Sequence, residues 1–340
     1  MCENYEITIF TLYANGELEK QLNKKVKLES MYNISYSELP KIKQKIIVPL
    51  KILLFKKSIY KNKINKNYDV EIAFLEGPIT RLFSIKNNKT TKIAWIHNDI
   101  SKVFGKNIKS ILKQHIDKSI YSKYKKLIFV SKDNLKEFEK EYPNIKCEKL
   151  VIYNYLDSQR VIKKAKENEK IDFSKEVPNF VTVTRLVEQK AIDRLINVHE
   201  KLIKNGMKHK IYVIGDGPEK ENLAKLIKEK NVEDTFLLLG KKENPYPYIK
   251  NADYFCLMSK FEGYGMVIEE AKILNKNIII TNTAAREAVK NYKKAIIVEN
   301  NENAIYNGLY NIIKNHKKIE EKEEYNYDNT QRIQEIIKIL

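Results

Sequence analysis

The chain has 340 residues, 43% of them hydrophobic and 31% charged, and a formal net charge of +19. These proportions exclude a disordered or fibrous chain, and the length is enough for two domains that each bury a core. The charge is uneven. Residues 1–160 hold 31 Lys and Arg against 17 Asp and Glu, so +14 of the excess sits there. Such a surface attracts nucleic acid, anionic lipid or phosphorylated substrates.

In chain order, the first half shows five strand patterns: Ile7–Tyr13, Val70–Leu75, Lys92–His97, Lys126–Val130 and Lys149–Tyr153. Between the first two, Lys41–Lys66 mixes nine lysines with Ile42, Ile46, Ile47, Leu50, Leu53, Leu54 and Phe55. It reads as a helix whose apolar stripe packs inward and whose lysines are solvated. An anionic membrane surface is a second partner for those lysines. The apolar run Ile46–Phe55 contains Pro49 and Lys51 and is too short to span a bilayer. Ser158–Lys175 is charged and has no β-branched run.

The pattern then restarts with strands Phe180–Thr184, Lys210–Ile214, Thr235–Leu239, Tyr254–Met258, Asn277–Thr281 and Ala295–Val298. Helical runs Ala191–Ile203, Glu219–Lys230 and Val267–Leu274 fall between them. This alternation predicts parallel sheets with helices on both faces, and the strands are apolar throughout because both faces are buried. The expected organisation is a first domain over 1–155, a linker over 156–177 and a second domain over 178–316. A polar helical segment over 317–340 is expected to pack back toward the first domain.

Cys2, Cys147 and Cys256 are far apart, odd in number and form no CxxC. They support neither a disulfide framework nor a zinc site, so a reducing cytosol is expected. Met1, Cys2, Glu3 and Asn4 do not read as a secretory leader. The lysines are dispersed, without an aromatic-interleaved recognition motif, so nucleic acid is not an expected partner.

In open α/β sheets, ligands bind beyond the carboxyl ends of the strands. After Phe180–Thr184 come Arg185 and Lys190, flanking a short loop before a helix. Two cations beside free helix amides suit a diphosphate, although a solvated Arg and a surface Lys would read the same way. After Lys210–Ile214 comes Gly215-Asp216-Gly217-Pro218, which reads foremost as a structural turn with Pro218 entering a helix. After Tyr254–Met258 comes the run from Ser259 through Glu262, Gly263, Tyr264, Gly265, Met266 and Val267 to Glu269 and Glu270. Gly263 and Gly265 permit a tight loop and close backbone approach. The helix that follows presents unpaired N–H groups, which favour phosphate. Glu262 and Glu270 are poor phosphate ligands but good acceptors for sugar hydroxyls. The combination points to a nucleotide-sugar. Acids that merely complement the helix dipole are the alternative for Glu269 and Glu270.

Taken together, Arg185-Leu186, Lys190, Gly215-Asp216-Gly217-Pro218, Gly240, Ser259, Glu262-Gly263-Tyr264-Gly265 and Glu270 resemble the retaining glycosyltransferases of family 4 in order and spacing, over about residues 150–315. Glu262 and Glu270 match that family's E-x7-E motif. The resemblance implies an α/β chain of the GT-B class, with two Rossmann-like domains whose parallel sheets face across a cleft. It implies that Arg185 and Lys190 bind the donor diphosphate and stabilise charge on the leaving group. Glu262 and the amides of Gly263, Tyr264, Gly265, Met266 and Val267 would hold the transferred sugar and phosphate, and Glu270 would accept from the ribose. No cofactor is implied beyond the nucleoside-diphosphate sugar as co-substrate. No metal is implied either, since Arg, Lys and a helix N-terminus replace it. Attack would be front-face, with the donor phosphate helping to deprotonate the acceptor. Thr184 and Ala191 stand where the family usually has glycine.

The first half resembles the family more weakly. Ala94-Trp95-Ile96-His97-Asn98-Asp99 follows a strand where a family histidine contacts sugar or acceptor. His97 is therefore a candidate, with a surface histidine at a strand end as the alternative. Phe129-Val130-Ser131-Lys132 and Val151-Ile152-Tyr153-Asn154 match later strands. Family members usually open with a strand, a glycine-rich loop and a long helix before a segment like Tyr5–Tyr13 and Gly16–Glu19. That leads to the expectation that one β–α unit, roughly 30–40 residues, is absent here. The function expected is a retaining hexosyltransferase, cytoplasmic or peripheral on the inner membrane face. It would move sugar from a UDP-sugar to a cell-envelope glycan or lipid-linked acceptor. An accessory subunit that binds nucleotide-sugar without catalysis is the second expectation, motivated by the absent unit.

Overall fold

The structure is a computed structural model and describes residues 3–16, 18–40, 42–64, 67–98, 100, 108–316, 325 and 327–340. Cys2, Glu17, Lys41, Lys66 and Asp99 lie outside the described residues, as do 317–324 and 326 of the expected C-terminal segment. The chain divides into two compact units. One comprises Met1–Ile96, Phe104–Ile128 and Tyr142–Leu150, and the other His97–Val103, Phe129–Glu141 and Val151–Leu340.

Six strands run through the first half: β1 (Thr8–Tyr13), β2 (Lys27–Tyr32), β3 (Val70–Ala73), β4 (Thr91–Ile96), β5 (Lys126–Phe129) and β6 (Glu148–Val151). β1 and β2 pair in parallel as a two-stranded sheet, and β3-β4-β5-β6 form another. β2 is one strand more than the five expected. Its sequence, Lys27-Leu28-Glu29-Ser30-Met31-Tyr32, holds no β-branched residue and carries two charges, so propensity alone does not mark it. Pairing with β1 makes it a strand, and the Tyr13 and Tyr32 rings stack across the ladder at 5.9 Å.

The helices of this half are α1 (Val48–Ile59), α2 (Pro78–Phe83), α3 (Ile108–Tyr121) and α4 (Lys132–Glu141). A wide turn over Lys43–Ile47 leads into α1. The expected inward stripe is corrected here. Val48, Ile52 and Ile59 are the buried ones, while Ile42, Ile46, Ile47, Leu50, Leu54 and Phe55 are exposed and Leu53 is half-buried. The helix has apolar residues on two faces, and only one packs.

The charged stretch after β6 is not featureless. Ser158–Lys164 forms α5, started by Asp157, whose carboxylate accepts from the Arg160 amide at 3.0 Å. This is an N-cap that offsets unpaired amides. Beyond it run β7 (Asn179–Val183), α6 (Ile192–Lys204), β8 (Lys210–Ile214), α7 (Lys220–Glu229), β9 (Phe236–Gly240) and α8 (Tyr246–Asn251). Then follow β10 (Tyr254–Leu257), α9 (Met266–Ile273), β11 (Asn277–Thr281), β12 (Ala295–Val298), α10 (Glu302–Lys314) and α11 (Asn329–Ile337). α11 packs on the approach to α5: the Tyr327 hydroxyl donates to the Asn154 carbonyl at 3.2 Å, and Asn329 donates to Ser158 Oγ at 2.8 Å.

The six strands from β7 onward make one parallel sheet in the order β12-β11-β10-β7-β8-β9. Buried Phe180, Ile211 and Val213 of the strands meet Leu195, Ile196 and Leu202 of α6 and Ile305 and Leu309 of α10. The order reverses between β7 and β10. That reversal separates the turns leaving these two neighbouring strands, which is where open parallel sheets bind ligands.

One polar chain crosses this core. His209 Nδ1 donates to the Met207 carbonyl at 2.8 Å, which leaves Nε2 to accept from His199 Nδ1 at 2.8 Å. His199 Nε2 then accepts from the Thr235 hydroxyl at 2.9 Å. Both rings are neutral in this arrangement. Burial, followed by the neighbouring His209, brings His199 down to about 2, and burial brings His209 down to about 4, from 6.5. Folded-state values below the unfolded one mean that the stabilisation is complete above pH 6.5 and is lost as pH falls toward 4. For His209 alone the loss is on the order of 3 kcal/mol. Urea unfolding from pH 7 to 4.5 should show this decline, and His209→Gln should flatten it. An unchanged slope would rule the pair out as its source.

Candidate functional site

The turns leaving β7 and β10 are stitched together. Lys190 Nζ reaches Glu262 Oε1 at 2.5 Å, and Ser259 Oγ donates to the same oxygen at 2.6 Å. Gln189 donates to the Phe261 carbonyl at 2.9 Å, and the Lys260 amide donates to the Gln189 carbonyl at 2.8 Å. Arg194 of α6 adds a third tie, donating to the Met258 carbonyl at 2.7 Å. Glu262 is buried at 7% exposure, so its charge needs this lysine and hydroxyl. Arg185 leaves the same turn exposed. Among the described residues, no hydrogen bond or ion pair holds its side chain.

Glycine at 263 is a steric requirement. A Cβ there would lie 2.0 Å from the His97 carbonyl oxygen. His97 thus meets the loop through its backbone. Gly265, with φ of 80°, starts α9, and no side chain caps that helix. Its first N–H groups, on Met266 and Val267, sit beside the Lys190–Glu262 pair in sequence and loop, as an anion site would need.

The Tyr264 side chain has a different task. It is buried, its ring stacks on Tyr153 at 5.1 Å, and its hydroxyl donates to Glu269. Glu269 is 1% exposed and pairs with Lys272 at 3.0 Å. It is therefore an internal tether for the loop and not a solvated acid at a helix start.

Glu270, the next residue, accepts from the Tyr246 hydroxyl at 3.2 Å. Burial pushes its carboxyl up to about 7, against the pull of that hydroxyl. Tyr246 carried no sequence signal, because the contact spans 24 residues and joins two separate helices. Asn134 was also missed. Both side-chain amide atoms are buried without a hydrogen-bond partner among the described residues, and its nitrogen lies 3.5 Å from where a Gly263 Cβ would be.

Gly215 and Gly217 serve packing. A Cβ on either would strike the backbone of Thr184 or Leu186, at 1.8 Å and 2.3 Å. Ala191 takes the left-handed conformation at φ 49°, a strain that glycine would not carry. No group of three His, Cys, Asp or Glu side chains able to hold a metal ion occurs among the described residues.

The profile of the family described as "Glycosyl transferases group 1" matches residues 163–330, which contain these turns. Over that stretch the chain is similar to the group 1 glycosyltransferases. One relative in this direction is the N-acetylgalactosamine-N,N'-diacetylbacillosaminyl-diphospho-undecaprenol 4-alpha-N-acetylgalactosaminyltransferase of Campylobacter jejuni. It is 29% identical, with 74% of this chain and 69% of the relative covered. The O-antigen biosynthesis glycosyltransferase WclY of Escherichia coli is 27% identical over 57% of this chain and 53% of its own. The chain thus spans about half of WclY.

A solved structure of Anabaena HepE in complex with UDP and glucose superposes with a TM-score of 0.67 at 15% identity, covering 91% of this chain and 82% of that one. Likeness at that identity concerns the fold, which is α/β with parallel sheets, of the GT-B class expected from the sequence.

Proposed function

We propose that this glycosyltransferase moves a hexose-type sugar from a UDP-sugar to a cell-envelope glycan or lipid-linked acceptor, with retention. The observation that carries the reading is the Lys190–Glu262 pair at 2.5 Å beside the uncapped start of α9. It sets a cation, a carboxylate and free amides at the switch point of the sheet. Diphosphate oxygens suit Lys190 and the α9 amides, with exposed Arg185 as a second cation. Glu262 suits sugar hydroxyls, and Glu270 suits the ribose.

In this reading the sugar C1–O bond breaks toward the diphosphate, which takes the electron pair. The acceptor oxygen attacks C1 from the same face, and its proton passes to the departing phosphate oxygen. Lys190, Arg185 and the helix start stabilise the charge that develops there, in place of a metal. His97 borders the sugar end. The Campylobacter relative's name describes a diphospho-undecaprenol acceptor and an α linkage, and the HepE structure is a complex with UDP and glucose. The first supports the choice of acceptor and the second the choice of donor. The basic first half supports an anionic membrane as the place where it works.

A thermal-shift panel of UDP-, GDP- and ADP-sugars on wild type and Glu270→Ala tests the donor. One UDP-sugar should raise the wild-type midpoint and raise the variant's much less. A null panel would sink the donor site. Donor binding without transfer or hydrolysis would favour the accessory-subunit alternative.

A further inference from the structure

We infer that the outward face of α1 and the turn before it docks on an anionic phospholipid bilayer. Fifteen large apolar side chains are exposed among the described residues, and six of them lie between Ile42 and Phe55. Scattered exposure of this kind is ordinary; concentration in fourteen consecutive residues is a patch. The spacing makes it one stripe. Ile42 is followed one wide turn later by Ile46 and Ile47, then by Leu50 and Leu54, at steps of three to four residues, and Phe55 beside them marks a kink with φ of -113° and ψ of 16°. Exposures run from 46% at Ile47 to 67% at Ile42. The inner face is already taken by Val48, Ile52 and Ile59, so the outer stripe is surplus to packing.

Charge decides what covers it. Lys43, Lys51, Lys57, Lys61 and Lys63 are exposed around the stripe, and no acid occurs between Glu38 and Asp69. A two-fold contact with a second copy would set these lysines against themselves, which repels. An anionic bilayer satisfies both features. The aliphatic stripe enters the headgroup–acyl boundary, and the lysine stems reach back to lipid phosphates. The helix lies on the membrane and does not cross it: among the described residues, no helix is long and apolar enough to span a bilayer. This inference deepens the lipid-linked acceptor reading but needs no donor or transfer to be tested.

Flotation of the purified full chain with phosphatidylcholine vesicles, with and without phosphatidylglycerol, provides the test. Binding should require phosphatidylglycerol and weaken with salt. Lys51→Gln with Lys57→Gln should weaken it roughly thirtyfold. Leu50→Gln with Leu54→Gln should weaken it at least about tenfold without lowering the thermal midpoint, since both side chains are exposed. Binding that is indifferent to the leucine pair would overturn the proposal, as would no binding to anionic vesicles. A concentration-dependent dimer abolished by the leucine pair would assign the face to a second copy instead. Because vesicles are read without nucleotide, failure here leaves the transfer reaction standing, and the reverse also holds.

Discussion

Lys190→Ala should lower kcat for transfer by about 10²–10³, the cost of removing one charge stabiliser from a leaving group. A second effect must be separated from this one. Glu262 is 7% exposed and is held by Lys190 and the Ser259 hydroxyl. Without the lysine, a buried carboxylate keeps one neutral donor, and losing one partner of such a pair costs about 3 kcal/mol. Lys190→Met combined with Glu262→Gln removes both charges and should recover most of that stability. It should recover none of the activity, because both proposed ligand contacts are gone. The measurements are kcat per folded molecule and urea unfolding on the three proteins. Full activity in the folded fraction of Lys190→Ala would make the lysine a structural partner of Glu262 and nothing more.

Affinity for a UDP-sugar should rise up to about tenfold between pH 6 and pH 8, and Glu270→Gln should flatten the dependence. Burial holds the Glu270 carboxyl near 7. As the carboxylate it offers two acceptor oxygens to ribose hydroxyls; as the acid it loses part of that capacity and becomes a donor. The binding-competent form therefore grows as pH passes 7, and a pKa near 7 spans that factor over two pH units. The UDP-sugar is the right probe, because free UDP adds a terminal phosphate that itself titrates near 6.

Stability runs the other way. A folded value raised above 4.5 means that this group's contribution is present at low pH and is lost as pH climbs through 7. Calorimetric titrations at pH 6, 7 and 8 check the binding side. Affinity independent of pH, with Glu270→Ala still weak, would show that the ribose reads Glu270 by shape and not by charge.

Much of the second half was legible because its signals are local. Asn277–Thr281 and Ala295–Val298 were expected as strands with the boundaries observed, since short β-branched runs bounded by turn residues read as strands; the first is buried, whereas Ile296 and Ile297 of the second are exposed. The glycines at 263 and 265 announced a loop against backbone, and the loop indeed meets the His97 carbonyl. Tyr264 was legible as a loop residue but not as a tether, because its partner Glu269 looked like a solvated acid. β2 escaped because two tyrosine rings and a neighbouring ladder, not its own composition, make it a strand. The inward stripe expected for α1 was mistaken because periodicity counts apolar positions without saying how many faces the fold covers.

By itself the sequence determined the alternation of strands and helices, the switch-point turns and the residue types that chemistry needs there. All of these follow from interactions within a few residues. The tertiary structure alone decided that Lys190 meets Glu262 across 72 residues, that Tyr246 lies over Glu270, and that one apolar face of α1 stays uncovered. Each depends on which distant surfaces exclude water from one another, and burial of that kind, not residue identity, turns a carboxylate near a glycine loop into a group titrating near neutrality.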